Sequence, residues 1–215
     1  MYQPSSERSF VLGVSGQIGA GKSTLGRLLA GWGGVNLEVD EMGHHLLADP
    51  AIRSQLVEAF GSEILGPDGN IQRRMLGRRA FAGAASLALL NSIMHPPLRR
   101  EARRLVAAER ERGTPLVILN AALLFTIGLD ELCHLSVYVT APEDVRLQRI
   151  VQSRGLSVEA ARARLLVQDV EPAPSARVLI CRNDGAVEAL ADWVSGKLIP
   201  LLQSMGPILH RRGGE

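Results

Sequence analysis

An α/β fold, with a parallel five-stranded sheet flanked by helices, is the architecture this sequence predicts, on three observations. Five strand-length segments alternate with helix-patterned stretches along the chain. The most apolar of these segments are continuously hydrophobic, as suits strands covered on both faces. The first segment runs through a glycine-dense turn directly into a helical pattern, the strand–turn–helix step from which parallel sheets are assembled.

The elements follow in order. FVLGV (Phe10–Val14) is a short apolar strand, and STLGRLLAGW (Ser23–Trp32) then places Leu25, Leu28 and Leu29 at helical spacing. VNLEVD (Val35–Asp40) reads as the second strand, with Asp40 at its end and a helix through EMGHHLL beyond it. A further helix covers Ala51–Phe60, and GPDGN (Gly66–Asn70), dense in turn formers, closes that stretch. Arg73–Arg112 is helical and arginine-rich. HPP (His95–Pro97) is expected to end one helix there and start another, because proline lacks the N–H that an interior helical position donates. PLVIL (Pro115–Leu119), LSVYV (Leu135–Val139) and RVLIC (Arg177–Cys181) supply three more strands. Helices are expected over Pro142–Ser153, Ser157–Val170 and Ala186–Leu202, and the tail HRRGGE frays.

Composition bounds the function. In 215 residues, 46% hydrophobic and 21% charged, there is enough apolar material for one domain with a sizeable core. A net charge of +2 is too small to argue for nucleic acid; the sequence pI of about 8.8 would suit a polyanionic small molecule, but the charge balance alone decides nothing. The two cysteines, Cys133 and Cys181, lack metal-ligand spacing and read as buried, reduced thiols. Neither a secretory leader nor an apolar run of membrane-spanning length is visible, so a cytoplasmic protein is expected, as a monomer or small homo-oligomer.

Gly16-Gln17-Ile18-Gly19-Ala20-Gly21-Lys22-Ser23 fits G-x-x-x-x-G-K-[ST] in full, between a strand and a helix. Glycines there let backbone N–H groups turn inward around an anion, and the following helix adds roughly half a positive charge at its N-terminus. Lys22 reaches the β- and γ-phosphates of a nucleotide and the Ser23 hydroxyl holds Mg²⁺; Thr24 completes the binding segment. Asp40, at the carboxyl end of a neighbouring strand, opens onto the same crevice. It either accepts a substrate hydroxyl's proton, or orients that hydroxyl, while also helping to hold the metal's water shell, or it caps the helix that follows. The adjacent pair His44 and His45 suits neither chelation on one helix face nor catalysis and reads as structural, while Trp32 and Trp193 read as packing residues.

The ordered set of motifs resembles the dephospho-CoA kinases. These have a GGIGSGKS-type loop, a strand ending in D-x-D, then H-P, then P-L-L-x-E, then a lid with arginines. Here stand SGQIGAGKS, Glu38-Val-Asp40, FGSEILGPDGNIQRRMLGRRAF, Ile93-Met-His95-Pro96, Ala122-Leu-Leu-Phe125, Arg149 within LQRIVQSRGLS, Gln168 and Asn183-Asp-Gly185, from about Phe10 to Leu202. The resemblance implies a P-loop kinase that uses ATP and Mg²⁺ to phosphorylate the ribose 3′-hydroxyl of dephospho-CoA, giving coenzyme A. It implies Asp40 as general base and Arg149 as the lid arginine on the ATP phosphates. A helical acceptor-binding segment over about 66–112 would use Arg73, His95 and Arg99, whose alternative is a solvated basic face with His95 packing at the helix break. A lid is implied over 149–172.

The chain departs from that pattern at several positions. Glu38 replaces the first Asp of D-x-D, Ala122 the Pro, and Thr126 the Glu of P-L-L-x-E. Asn120 stands where some members carry Asp, and Ser153 where a second lid arginine is common, with Arg154 one place later. A kinase for another small hydroxyl or nucleotide acceptor, and a nucleotide-binding module with weakened catalysis, are the readings that these departures keep open.

Overall fold

The computed structural model describes residues 9–155, 157–165 and 171–211. Five parallel strands, β1 (Phe10–Gly16), β2 (Val35–Glu38), β3 (Leu116–Asn120), β4 (Leu135–Thr140) and β5 (Val178–Arg182), form one sheet in the order β2-β3-β1-β4-β5. The expected α/β architecture is present. Each strand is followed by helix: α1 (Lys22–Ala30), α2 (Val39–Leu46), α6 (Leu124–Ile127), α7 (Glu143–Arg154) with α8 (Val158–Leu165), and α9 (Val187–Trp193) with α10 (Ile199–Ser204). Between α2 and β3 lie α3 (Pro50–Phe60), α4 (Arg73–Ala80) and the long α5 (Ala84–Glu111).

Backbone contacts divide the chain into two compact units. One comprises the described residues of Met1–Glu38 and Leu105–Glu215 and holds the whole sheet; the other, Val39–Arg104, is helical. In the sheet unit β1 is central and fully buried, as is β3 beside it. Leu25 and Leu29 of α1, four residues apart, pack with Leu12, Val14, Ile118 and Val137 into one apolar cluster that Trp32 and Trp193 flank. Each such buried leucine contributes about 1.5–3 kcal/mol. Cys133 and Cys181 are buried thiols, pushed by burial up to about 12 and about 11, so neither ionises near neutrality. Among the described residues no helix is long and apolar enough to cross a membrane.

Several elements differ from the sequence reading. β2 stops at Glu38 and α2 begins at Val39, so Asp40 lies in the first turn of a helix rather than at the end of a strand, and it is not the residue before the helix. His44 and His45 occupy the last, exposed turn of the same helix, the end a basic side chain complements. HPP does not break the arginine-rich helix: α5 runs unbroken for 28 residues with Pro96 and Pro97 inside it. Met94, Leu98 and Ala102 recur every fourth residue on a buried stripe across the prolines, and that burial outweighs two missing N–H donors. The closing helix contains a π-turn over Val194–Leu198 where Pro200 follows, widening the backbone against the carbonyls that proline cannot meet. The expected helix over Ser157–Val170 is seen as Val158–Leu165; residues 166–170 lie outside the described residues, as does Gln168.

At the amino end of the sheet, His134 acts as part of the ladder. Val11 N donates to its Nδ1 at 2.8 Å, its own N–H donates to Val11 O at 2.9 Å, and its ring stacks on Phe10 with centroids 4.9 Å apart. Accepting at Nδ1 requires the neutral ring. Burial, with the Arg110 and Arg177 charges nearby, holds its pKa below the usual histidine range.

Two predictions follow from this packing. Pro96 is exposed, so Pro96→Ala restores an interior N–H without loss of core contacts and should raise the unfolding free energy by about 1–3 kcal/mol; urea denaturation reads it, and a lowered midpoint would show that the proline is needed by the packing. Because folded His134 binds its proton more weakly than the unfolded chain does, its contribution is complete above about pH 6.5 and is lost as pH falls through its depressed folded value. Stability measured between pH 7.5 and 5 should fall more steeply in the parent than in His134→Gln.

Candidate functional site

The glycine-dense turn connects the carboxyl end of β1 to the first residue of α1, Lys22. Gly16, Gly19 and Gly21 all have positive φ. At Gly16 a Cβ would stand 2.1 Å from Val139 O, because the end of β1 lies against β4; no side chain fits there. Gly21 precedes α1 at φ 111° and faces Asn183 Nδ2, 2.4 Å from where its Cβ would be. This close approach holds the loop on one side.

The loop is anchored at both ends. Gln17 N donates to Val139 O at 3.1 Å, and Ala20 N to Gln17 O at 3.1 Å, curling the chain back on itself. Ile18 packs beside Ile150, Ala161 and Leu165 of α7 and α8. The Ala20 carbonyl accepts from Asn183 Nδ2 at 2.7 Å and from an Arg149 guanidinium N–H at 3.4 Å. Lys22 Nζ donates to Gly16 O at 2.8 Å and Gln17 O at 3.3 Å, so the ammonium lies over the loop it follows. Ser23 is exposed in the first turn of α1, and Thr24 Oγ1 accepts from Arg27.

Arg149 of α7 lies against the phosphate loop. Its guanidinium donates to three backbone carbonyls: Ala20, Asn183 at 3.0 Å and Gly185 at 2.6 Å. It ties the phosphate loop to the turn after β5. Asn183, to which sequence reasoning gave no role, makes the second half of that tie; its signal was the Asn183-Asp-Gly185 string, a turn former directly after a strand. Ser153 is exposed on α7.

At the ends of β2 and β3, Glu38 and Asn120 are register partners, and Asn120 Nδ2 donates to Glu38 Oε1 at 2.9 Å. Asn36 Nδ2 donates to the same oxygen at 2.7 Å. The residue standing at the possible metal-acid position of β3 is therefore a donor to a carboxylate on the next strand. Among the described residues no three His, Cys, Asp or Glu side chains gather into a metal cage. A hydroxyl and a lone carboxylate nevertheless fit Mg²⁺, which keeps most of its waters and takes few protein oxygens beside substrate phosphates.

The remaining predicted residues belong to the helical unit. Asp40 is exposed in the first turn of α2, and Arg73 is exposed at the start of α4. His95 and Arg99 lie one turn apart on α5. Burial first, and then the Arg99 charge, lowers the His95 pKa, so the ring is neutral at pH 7. A Cβ on Gly43 of α2 would touch Leu98 of α5 at 3.7 Å, and Asp40, His95 and Arg99 each lie within a turn of that contact. A groove of about 310 Å³ in the same unit is lined by Asp49, Gln55, Pro97, Arg100, Glu101 and Arg104 among others, and by none of the predicted acceptor residues.

Comparison with known proteins places the chain among similar sequences and folds. The profile of the dephospho-CoA kinase family matches residues 10–188. The chain is 37% identical over 182 residues to a dephospho-CoA kinase of Corynebacterium efficiens, covering 83% of this chain and 90% of that one. It is 34% identical over 175 residues to one of Dehalococcoides mccartyi, covering 80% and 88%. A Thermus thermophilus crystal structure superposes with a TM-score of 0.70 at 31% identity, over 91% of this chain and 99% of the other. The fold is also that of a Campylobacter jejuni dephospho-CoA kinase, with a TM-score of 0.61 at 20% identity, over 92% and 98%.

Removing the Asn183 amide leaves the Ala20 carbonyl with Arg149 alone. Asn183→Ala should therefore raise the Kd for ATP about tenfold, the loss of one buried hydrogen bond, with little change in far-ultraviolet circular dichroism. Unchanged ATP affinity by titration calorimetry would show that the loop holds its shape without that tie.

Proposed function

The chain belongs to the dephospho-CoA kinase family, and on that premise we propose that it transfers the γ-phosphoryl group of ATP to the ribose 3′-hydroxyl of dephospho-CoA with Asp40 as base and Lys22 on the phosphates. The observation that carries this reading is the complete phosphate loop, built at the carboxyl end of the central strand and followed directly by α1.

The residues divide the work as follows. Loop N–H groups other than those of Gln17 and Ala20, which bond to Val139 O and Gln17 O, and the start of α1 surround the phosphates with donors and partial positive charge. Lys22 swings from the carbonyls of Gly16 and Gln17 to the β- and γ-phosphates, a short move for a flexible side chain. Ser23 is the hydroxyl that would hold Mg²⁺, which when bound would neutralise charge on the phosphates. Arg149 keeps the loop in place through Ala20 and adds a cation beside it.

On the acceptor side, Asp40 takes the proton of the 3′-hydroxyl as its oxygen bonds to the γ-phosphorus and ADP leaves. Arg73 and Arg99 supply charge to the acceptor's phosphates. His95, neutral because burial and Arg99 depress its pKa, contributes a hydrogen bond rather than a charge. With no covalent intermediate to form, the rate rests on alignment and charge neutralisation.

The test is ADP release with and without dephospho-CoA. Asp40→Asn should lower kcat about 10²- to 10⁴-fold, the usual share of a positioned base, while ATP binding stays at the parent value. Turnover undiminished in that variant would remove Asp40 as base, and ADP release indifferent to dephospho-CoA would remove the acceptor.

A further inference from the structure

Glu38 is held in an unusual way. Two amides, from Asn36 on its own strand and Asn120 on the next, donate to a single oxygen, Oε1, and Oε2 takes part in neither bond. Asn120 is almost fully buried, and the buried Oδ1 of Asn36 has no hydrogen-bond partner among the described residues. Two amide side chains, one on β2 and one at the carboxyl end of β3, are thus fixed around one carboxylate.

Their position relative to α1 follows from two contacts and the geometry of the elements. The Asn36 amide lies flat on Gly26 of α1, 3.0 to 3.2 Å from where a Cβ would stand. The helix runs back from the carboxyl ends of the strands, so one step toward its start is one step toward the end of β2. From Asn36 to Glu38 the strand advances about 6.6 Å on the same face. From Gly26 back to Lys22 the helix retreats about 6 Å, and Lys22 and Ser23, four and three residues earlier, share the face of Gly26. Glu38 therefore comes under the first turn of α1, at the residues that end the phosphate loop.

We propose that Glu38 is the carboxylate that orders the water shell of the loop-bound Mg²⁺, and that Asn36 and Asn120 are the positioning residues that aim it. Mg²⁺ takes oxygen ligands, dehydrates reluctantly and is met by one or two carboxylates beside the phosphates. The amides on Oε1 turn Oε2 outward, and the unpartnered Asn36 Oδ1 is an acceptor for a bound water. Asn120 is then a fitting replacement rather than a lost acid. A carboxylate there would put like charges in hydrogen-bond contact with Glu38, whereas the amide donates. One negative charge, on β2, serves where the neighbouring strand has none.

This inference rests on the reading of the loop as a MgATP site, and its test needs no acceptor. Glu38→Gln keeps an oxygen for both amides, removes the charge and puts an NH₂ donor in place of Oε2. ATP affinity is measured by calorimetry in EDTA, and Mn²⁺ binding to the ATP complex by electron paramagnetic resonance. The expected result is unchanged metal-free ATP binding, with Mn²⁺ affinity weakened about 10- to 100-fold, the range for residues that act through a metal's outer shell. The exchange Glu38→Gln with Asn120→Asp, which moves the charge one strand over, should recover most of that loss. Parent-like Mn²⁺ affinity in Glu38→Gln overturns the proposal, as does an equal loss of metal-free ATP binding, which marks a structural role, or an exchange that recovers nothing. A parent protein that binds MnATP through Glu38 yet transfers nothing to dephospho-CoA would sink the kinase reading alone.

Discussion

The carbonyl of Ala20 is the point on which the site depends. A phosphate loop must hold several N–H groups convergent while no anion is bound, and convergent donors repel one another. Here the chain is pulled into shape from outside: Asn183 and Arg149 both donate to Ala20 O, and Gln17 N bonds to Val139 O at the other end. All these partners come from β4, α7 or the turn after β5, so the second half of the sheet unit braces a loop encoded in the first. The close approach of β4 is what makes Gly16 obligatory, and Asn183 is what crowds Gly21.

Parallel topology explains why the brace is available. With β1 in the centre, β3 and β4 lie on either side, and every strand delivers its carboxyl end to one edge. Residues at that edge are distant in sequence yet adjacent in space, as with Glu38 and Asn120 across the β2–β3 register or Asn183 against Ala20. Ligands of open α/β sheets bind at that edge for the same reason.

Legibility in the sequence followed the range of the interactions. The strands, α1 and the phosphate loop could be read because their signals are local: an apolar run, a period, eight contiguous residues. The start of α2 could not, since no glycine, proline or asparagine separates Leu37 from Glu41 to mark where strand becomes helix. The prolines of α5 misled for the opposite reason, a strong local signal overridden by the buried stripe of Met94, Leu98 and Ala102. Asn120 was visible only as a missing acid, because its partner is 82 residues away and the sequence does not show that contact. Arg149 was recognised as important, but its three carbonyl contacts needed the folded turn after β5.

The change from strand to helix between Glu38 and Val39 separates two carboxylates that the motif writes as a pair. In a strand, residues 38 and 40 would project to one face and lie about 6.6 Å apart, competing for the same cations. Once Asp40 enters a helical turn, that shared face is gone: Glu38 stays with the sheet unit, bound to its two amides, and Asp40 is exposed on α2 in the helical unit. A carboxylate locked by two hydrogen bonds is suited to a fixed electrostatic task, and an exposed one to exchanging a proton. The longer side chain at position 38 agrees with this division, since an aspartate there would fall one methylene short of the reach that now brings Oε1 to Asn120.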